Sequence, residues 1–124
     1  MTSHRPKHLN LFQIKLPLPG VVSFLHRISG ALLFMAIPPF LFLLQCTLDS
    51  AESFEKVRQG LGSPLVKLAL ILLTWGFLHH FFAGLRFLAM DMHIGVELDK
   101  TRRNSLLVIA FSLSLSVLIG AWLW

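Results

Sequence analysis

Charge is scarce in this chain. Lys, Arg, Asp and Glu make up 14% of its 124 residues against 55% hydrophobic residues. With a mean hydropathy of +0.71, the balance is too apolar for a soluble domain of this length. Cysteine is nearly absent as well. Cys46 stands alone, so neither an intrachain disulfide nor the Cys-x-x-Cys-His attachment of a covalently bound haem is available. Inside its apolar run that thiol reads as a buried structural group. Acid is missing from the apolar runs, since Asp91 comes only at the end of one. That excludes the membrane-embedded carboxylate on which a proton-coupled transporter usually relies. The opening "MTSHRPKHLNLFQIKLPLPG" lacks the short apolar core and small-residue cleavage site of a secretory signal. It also lacks the Arg/Ser-rich amphipathic pattern of a transit peptide, so a bacterial protein with its start intact is expected. The formal charge of +5 does not point to nucleic acid. The basic residues sit at the ends of apolar runs instead of forming a stripe interleaved with aromatics.

What remains is three long apolar stretches, and the expected fold class is all-α, an integral membrane protein in a single 1–124 domain. Ile28 to Leu48 is 21 residues without a formal charge, roughly 31 Å of helix against a hydrocarbon core of about 30 Å. Its helix is expected over about 21–48, after the breaker "PLPG", with Pro38 and Pro39 kinking it. A second helix is expected over about 64–92, around the uncharged run Leu68 to Leu85. A third, over about 105–124, contains "SLSLS", whose alternation suits a strand, but its length favours a helix. Arg5, Lys7 and Lys15 precede the first span without any acid, whereas "DSAESFEKVRQGLGS" carries three acids, Asp49, Glu52 and Glu55, against Lys56 and Arg58. The positive-inside bias therefore puts segment 1–20 and the loop near Lys100, Arg102 and Arg103 in the cytoplasm, and the C-terminus outside.

The second span holds the most informative residues, "LHHFFAGLRFLAMD". An ionisable group inside a bilayer is expensive and persists only where something compensates. On a helix His80, Gly84, Phe87 and Asp91 share a face, while His79 points about 100° away, toward Ala83 and Arg86. Gly84 leaves room one turn from His80 for a flat body, and imidazole is a common axial ligand of haem iron in electron-transfer cytochromes. A histidine bonded to a serine or a backbone carbonyl remains the alternative. A low-spin haem needs two axial ligands, and the chain offers one well-placed position. His4, His8 and His93 belong to tails or loops, and His26 is expected to lie too shallow to face His80. The second ligand is therefore expected from another chain, which also explains how only three spans can enclose part of a porphyrin.

At the start of the first span, "SFLHRISG" puts Ser23 and Arg27 one turn apart with Gly30 continuing the stripe and His26 beside them. Arg27 can snorkel to lipid phosphates. Equally, the hydroxyl and guanidinium can donate to a carbonyl or carboxylate in a dry pocket, which suits a quinone or haem propionates. Arg86 lies roughly 9 Å along its helix from His80 toward the same boundary.

Taken together, "RPKHLNL", "SFLHRISG" and "HFFAGLRFLAMD" resemble the cytochrome b subunit, the larger membrane anchor, of succinate dehydrogenase, along the whole chain. The resemblance implies three transmembrane helices forming half of a haem-binding bundle with a second small anchor that supplies the other axial histidine. It assigns the haem b iron ligand to His80 through its spacing to Gly84 and Arg86. It implies ubiquinone binding at Ser23 and Arg27, and a propionate side made by His26, Arg27 and Arg86. FAD and iron–sulfur clusters would reside on flavoprotein and iron–sulfur partner subunits, which oxidise succinate in a complex of the bacterial inner membrane. The chain departs from the family pattern at Phe87, where many relatives have His. It departs also at His93, where a small residue is common, and at Lys7, after the Arg-Pro.

Overall fold

The computed structural model describes residues 15–124, so the expectations for Arg5, Lys7, His4 and His8 fall outside the described residues. The described residues form four helices, α1 (Leu18–Asp49), α2 (Ala51–Leu61), α3 (Pro64–Asp91) and α4 (Leu98–Leu123). Among them there is no strand. Three of these, α1, α3 and α4, are long and apolar enough to cross a membrane. They run up, down and up. The start of α1 meets the end of α3, where His26 touches His80 and Phe87, and the start of α3 meets the end of α4, where Lys67 lies over Trp124. α3 is the central helix, packed against both of the others.

Helix boundaries extend beyond the apolar runs for local reasons. α1 begins at Leu18 instead of near Val21, because Pro19 occupies its first turn, where an absent N–H costs nothing and the fixed φ suits a helix. The helix then continues through Pro38 and Pro39 to Asp49. α4 begins at Leu98, ahead of its apolar run, with Asp99 in the first turn where the positive end of the helix dipole favours an acid. Lys100 pairs with Glu97 at 3.0 Å. The connection that the sequence left unstructured contains α2. Ser50 caps it by accepting the Ser53 N–H at 3.1 Å, and Arg58 makes two hydrogen bonds to Glu55.

The interior is built from small and polar residues. Val22, Ala83 and Val108 are its buried apolar centre. The face that α4 turns inward is Thr101, Ser105, Val108, Ser112 and Ser116, a repeat of four and three residues that keeps one helical face. Each buried serine satisfies its hydroxyl on its own helix, Ser105 to the Thr101 carbonyl at 2.7 Å, Ser112 to Ile109 at 3.0 Å and Ser116 to Leu113 at 2.9 Å. "SLSLS" is thus helical, with Ser112 and Ser116 buried and Ser114 exposed. Small side chains let helices approach closely, which is how membrane helices associate when lipid tails are as apolar as the core. The bulky side chains point the other way. Phe34, Met35, Phe42, Leu65, Leu88, Leu118 and Trp122 are all exposed.

α3 ends in a Schellman motif. The His93 N–H donates to the Met90 carbonyl and the Ile94 N–H to that of Ala89, both at 2.9 Å, with His93 at φ 60°. That left-handed position is normally glycine's. Gly95 follows at φ 74°, where a Cβ would lie 2.9 Å from Asn104 Nδ2, and Thr101 Oγ1 donates to the Gly95 carbonyl at 2.9 Å. The left-handed region costs an ordinary L-residue roughly 1–2 kcal/mol. Gly95→Ala is therefore expected to lower the thermal midpoint of the detergent-solubilised complex. His93→Gly is expected to raise it slightly, since glycine's extra unfolded-state freedom of roughly 0.5–1 kcal/mol offsets part of the relief. Circular dichroism at the helical bands checks both.

Candidate functional site

α1 and α3 meet through a gap left by a missing side chain. Gly30 faces His80, and a Cβ at residue 30 would stand 2.9 Å from His80 Cε1 and 3.2 Å from its Nδ1. Because that Cβ is absent, the imidazole lies against the α1 backbone. Its Nδ1 reaches the His26 carbonyl at 3.1 Å and Ser29 Oγ at 3.4 Å. Ser29, itself buried, donates its hydroxyl to the same His26 carbonyl at 2.9 Å. An Nδ1–H donated to a carbonyl fixes the tautomer and leaves the Nε2 lone pair for a ligand role, the usual arrangement behind metal-binding histidines. His80 Nε2 bonds no described residue.

The His26 ring stacks on the His80 ring, with centroids 4.1 Å apart and planes within 7°. This corrects the expectation that His26 is too shallow to face His80. That expectation set His26 near the end of a helix starting about Val21, whereas α1 starts at Leu18 and His80 itself lies only eleven residues from the end of α3 at Asp91. At about 1.5 Å per residue, His26 lies roughly 12 Å along α1 and His80 roughly 16 Å from the end of the antiparallel α3. They share a level. His26 meets Phe87 edge-on at 5.2 Å, and its Nε2 is 3.7 Å from the place a Gly84 Cβ would take. The face His80, Gly84 and Phe87 therefore exists as the spacing predicts, and the flat body lying along it is an imidazole of the same chain. That Nε2 is buried and has no hydrogen-bond partner.

Ser23 is half-buried and Arg27 exposed, and neither side chain hydrogen-bonds another described residue. The guanidinium is open to the boundary and available as a donor. His79 and Arg86 belong to a different face. His79 is fully buried with both ring nitrogens unpartnered, 5.7 Å from the Trp75 ring, whose Nε1 is likewise unpartnered. Arg86 is buried on the same stripe as His79 and Ala83, and its guanidinium lies over Phe87 at 5.3 Å. The structure thus brings His26, Ser29, Gly30, His80, Gly84 and Phe87 together and turns Arg86 toward α4. Sequence reading left Ser29 without a role. Its signal was present, since Ser-Gly follows His26 by one turn and so must share its neighbourhood.

Among the described residues no three His, Cys, Asp or Glu side chains converge, so these residues do not offer the ligand set of a bare metal ion. Three long apolar helices with their polar side chains gathered where α1 meets α3 have the build of a small membrane-anchor subunit. Comparison with known proteins makes this specific. Residues 1–119 match the profile of the succinate dehydrogenase/fumarate reductase transmembrane subunits. The succinate dehydrogenase cytochrome b556 subunit of Coxiella burnetii is 36% identical over 125 residues, covering all of both chains. That of Paracoccus denitrificans is 30% identical over 115 residues, 93% of this chain and 88% of its own. The Rickettsia felis subunit is 24% identical over 115 residues, 93% of this chain and 90% of its own. The chain belongs to this family, as a succinate dehydrogenase cytochrome b membrane anchor.

The Gly30 gap gives a direct test. Gly30→Ala forces a Cβ into the His80 ring, and overpacking of this kind costs about 1–3 kcal/mol, equivalent to about five- to 150-fold in affinity for whatever His80 holds. Gly20→Ala, whose Cβ meets only ordinary contacts from 3.6 Å, is the control. Haem content per purified complex is expected to fall in the first and hold in the second.

Proposed function

We propose that this chain is the cytochrome b anchor of a bacterial succinate:ubiquinone oxidoreductase, holding haem b jointly with a second small membrane anchor and forming part of the quinone-reduction site. Residue 80 carries the reading. Its Nδ1 contact to the His26 carbonyl at 3.1 Å, across the cradle of Gly30, leaves Nε2 as the coordinating atom. His80 would hold the haem together with a histidine of the partner anchor, and the group would supply one-electron storage and transfer.

This chain's own residues bind and orient. Ser23 and Arg27 offer a hydroxyl and a guanidinium at the membrane boundary, donors that stabilise negative charge developing on a quinone oxygen as two electrons and two protons are added. Arg27 and His26 lie on the propionate side. Arg86 adds positive potential at that depth from the neighbouring face of α3. Succinate oxidation at FAD, and electron passage through iron–sulfur clusters, belong to the flavoprotein and iron–sulfur subunits. The chain lies in the bacterial inner membrane with its N-terminus in the cytoplasm, so the basic residues around Lys100, Arg102 and Arg103 face the side on which those subunits dock.

A second reading, a haem-free structural anchor, has the His26–His80 stack in its favour, because the two rings already occupy one another. A reduced-minus-oxidised spectrum separates the two. A b-type band that is lost in His80→Ala and kept in His79→Phe is expected, and a colourless complex whose assembly ignores His80→Ala would remove the haem reading. For the quinone, Ser23→Ala and Arg27→Leu are expected to depress electron delivery to ubiquinone while sparing succinate oxidation by a soluble artificial acceptor. Equal loss of both activities would mark an assembly defect.

A further inference from the structure

Arg86 presents an unmet electrostatic demand. It is 7% exposed and its Nε is buried without a hydrogen-bond partner. Among the described residues no carboxylate pairs with it, the ion pairs being Glu52–Lys56, Glu55–Arg58 and Glu97–Lys100. A guanidinium does not discharge itself by losing a proton. Removing such a charge from water costs several kcal/mol, whereas a cation–π contact like that with Phe87 returns roughly 0.5–2 kcal/mol. An anion has to approach it.

The surroundings say which kind. A groove of about 200 Å³ between α3 and α4 is lined by Phe82, Arg86, Asn104, Leu107 and Phe111. Its polar groups sit at one end, since Asn104 Nδ2 lies under the α3–α4 turn, 2.9 Å from where a Gly95 Cβ would be. Because the helices are antiparallel, Phe82 is one turn deeper than Arg86, and Phe111 about two turns deeper than Asn104. The groove thus has a cationic mouth at the span boundary and an apolar floor leading toward the bilayer centre. Arg102 and Arg103 are exposed at the same end and pair with no carboxylate among the described residues, beside exposed Asp91 and Asp99.

We propose that Arg86 and Asn104 hold the phosphate of an anionic phospholipid, with one acyl chain seated along Phe82, Leu107 and Phe111. A free phosphate would answer the guanidinium and leave the floor bare. A partner's carboxylate would do the same, and would have to be carried into the bilayer. The groove lies about 120° around α3 from His80, so the lipid site does not depend on the haem reading.

The test uses the whole complex, purified in detergent and washed, with bound phospholipid measured by phosphorus assay and mass spectrometry. Wild type and the exposed-charge control Lys56→Gln, on α2 at the other end of the bundle, are expected to retain a phospholipid that Arg86→Gln and Asn104→Leu lose. Leu107→Trp, which fills the floor and leaves Arg86 in place, is expected to lose the same lipid, and it serves if Arg86→Gln does not assemble. Delipidated wild type should regain its thermal midpoint with phosphatidylglycerol and not with inorganic phosphate, while Arg86→Gln responds to neither. Equal lipid retention in all variants overturns the proposal, as does full rescue by inorganic phosphate. A changed haem spectrum in Arg86→Gln with unchanged lipid content overturns it too, and assigns Arg86 to the propionates.

Discussion

The hydrogen bond from His80 to the His26 carbonyl is the constraint around which α1 and α3 are arranged. It forms only because residue 30 has no side chain, and it sets the register of the two helices. A shift of either by one residue would put Ser29 or Ala31 against the imidazole and leave Nδ1 in hydrocarbon. An unmade hydrogen bond at a buried donor costs about 1–3 kcal/mol, and in a membrane no water is at hand to replace it. The same register brings His26 over Gly84 and Phe87. One missing methyl group therefore positions both imidazoles.

Packing elsewhere follows the same economy of polar groups. Ser105, Ser112 and Ser116 are buried at the α4 interface, yet each hydroxyl is satisfied within its own helix, so they admit α3 closely without needing partners there. Large apolar side chains would gain little inside, because lipid offers them the same surroundings. This is why Phe34, Phe42 and Trp122 face outward while the centre holds Val22, Ala83 and Val108. A soluble domain would invert that distribution.

How much of this was legible in the sequence depended on whether the controlling interaction was local. The three spans were legible because length and the absence of charge are local properties, and the His80, Gly84, Phe87 face because helical periodicity is. The helix ends were less so. Leu98 to Asn104 is polar and continues α4 outside the apolar run, so hydropathy alone clips the helix. α2 was missed because its polar, mixed-charge composition has no apolar run to mark it. The depth of His26 was misjudged because it depends on how α1 and α3 slide along one another, which only their packing fixes. Ser29 was overlooked because its partner lies 51 positions along the chain, a contact that only the packing of α1 on α3 creates. The left-handed φ at His93 marks a position that glycine fills without strain.

The polar groups that the chain leaves unmet separate into two sets by helix face, and this separation carries the last step. On the α1-facing side of α3, His80 keeps Nε2 without a partner among the described residues and His26 buries an unpartnered Nε2. On the other stripe stand Arg86, a fixed charge that no described residue neutralises, and the buried His79, whose ring nitrogens are also unpartnered. The His80 Nε2 and the Arg86 guanidinium ask for different occupants, and their placement on faces about 120° apart keeps one occupant from serving both. The proposed haem lies against the first face and the proposed lipid in the second. Neither demand is met by the described residues, so the helices reach their least costly state only when occupants from outside them fill both faces.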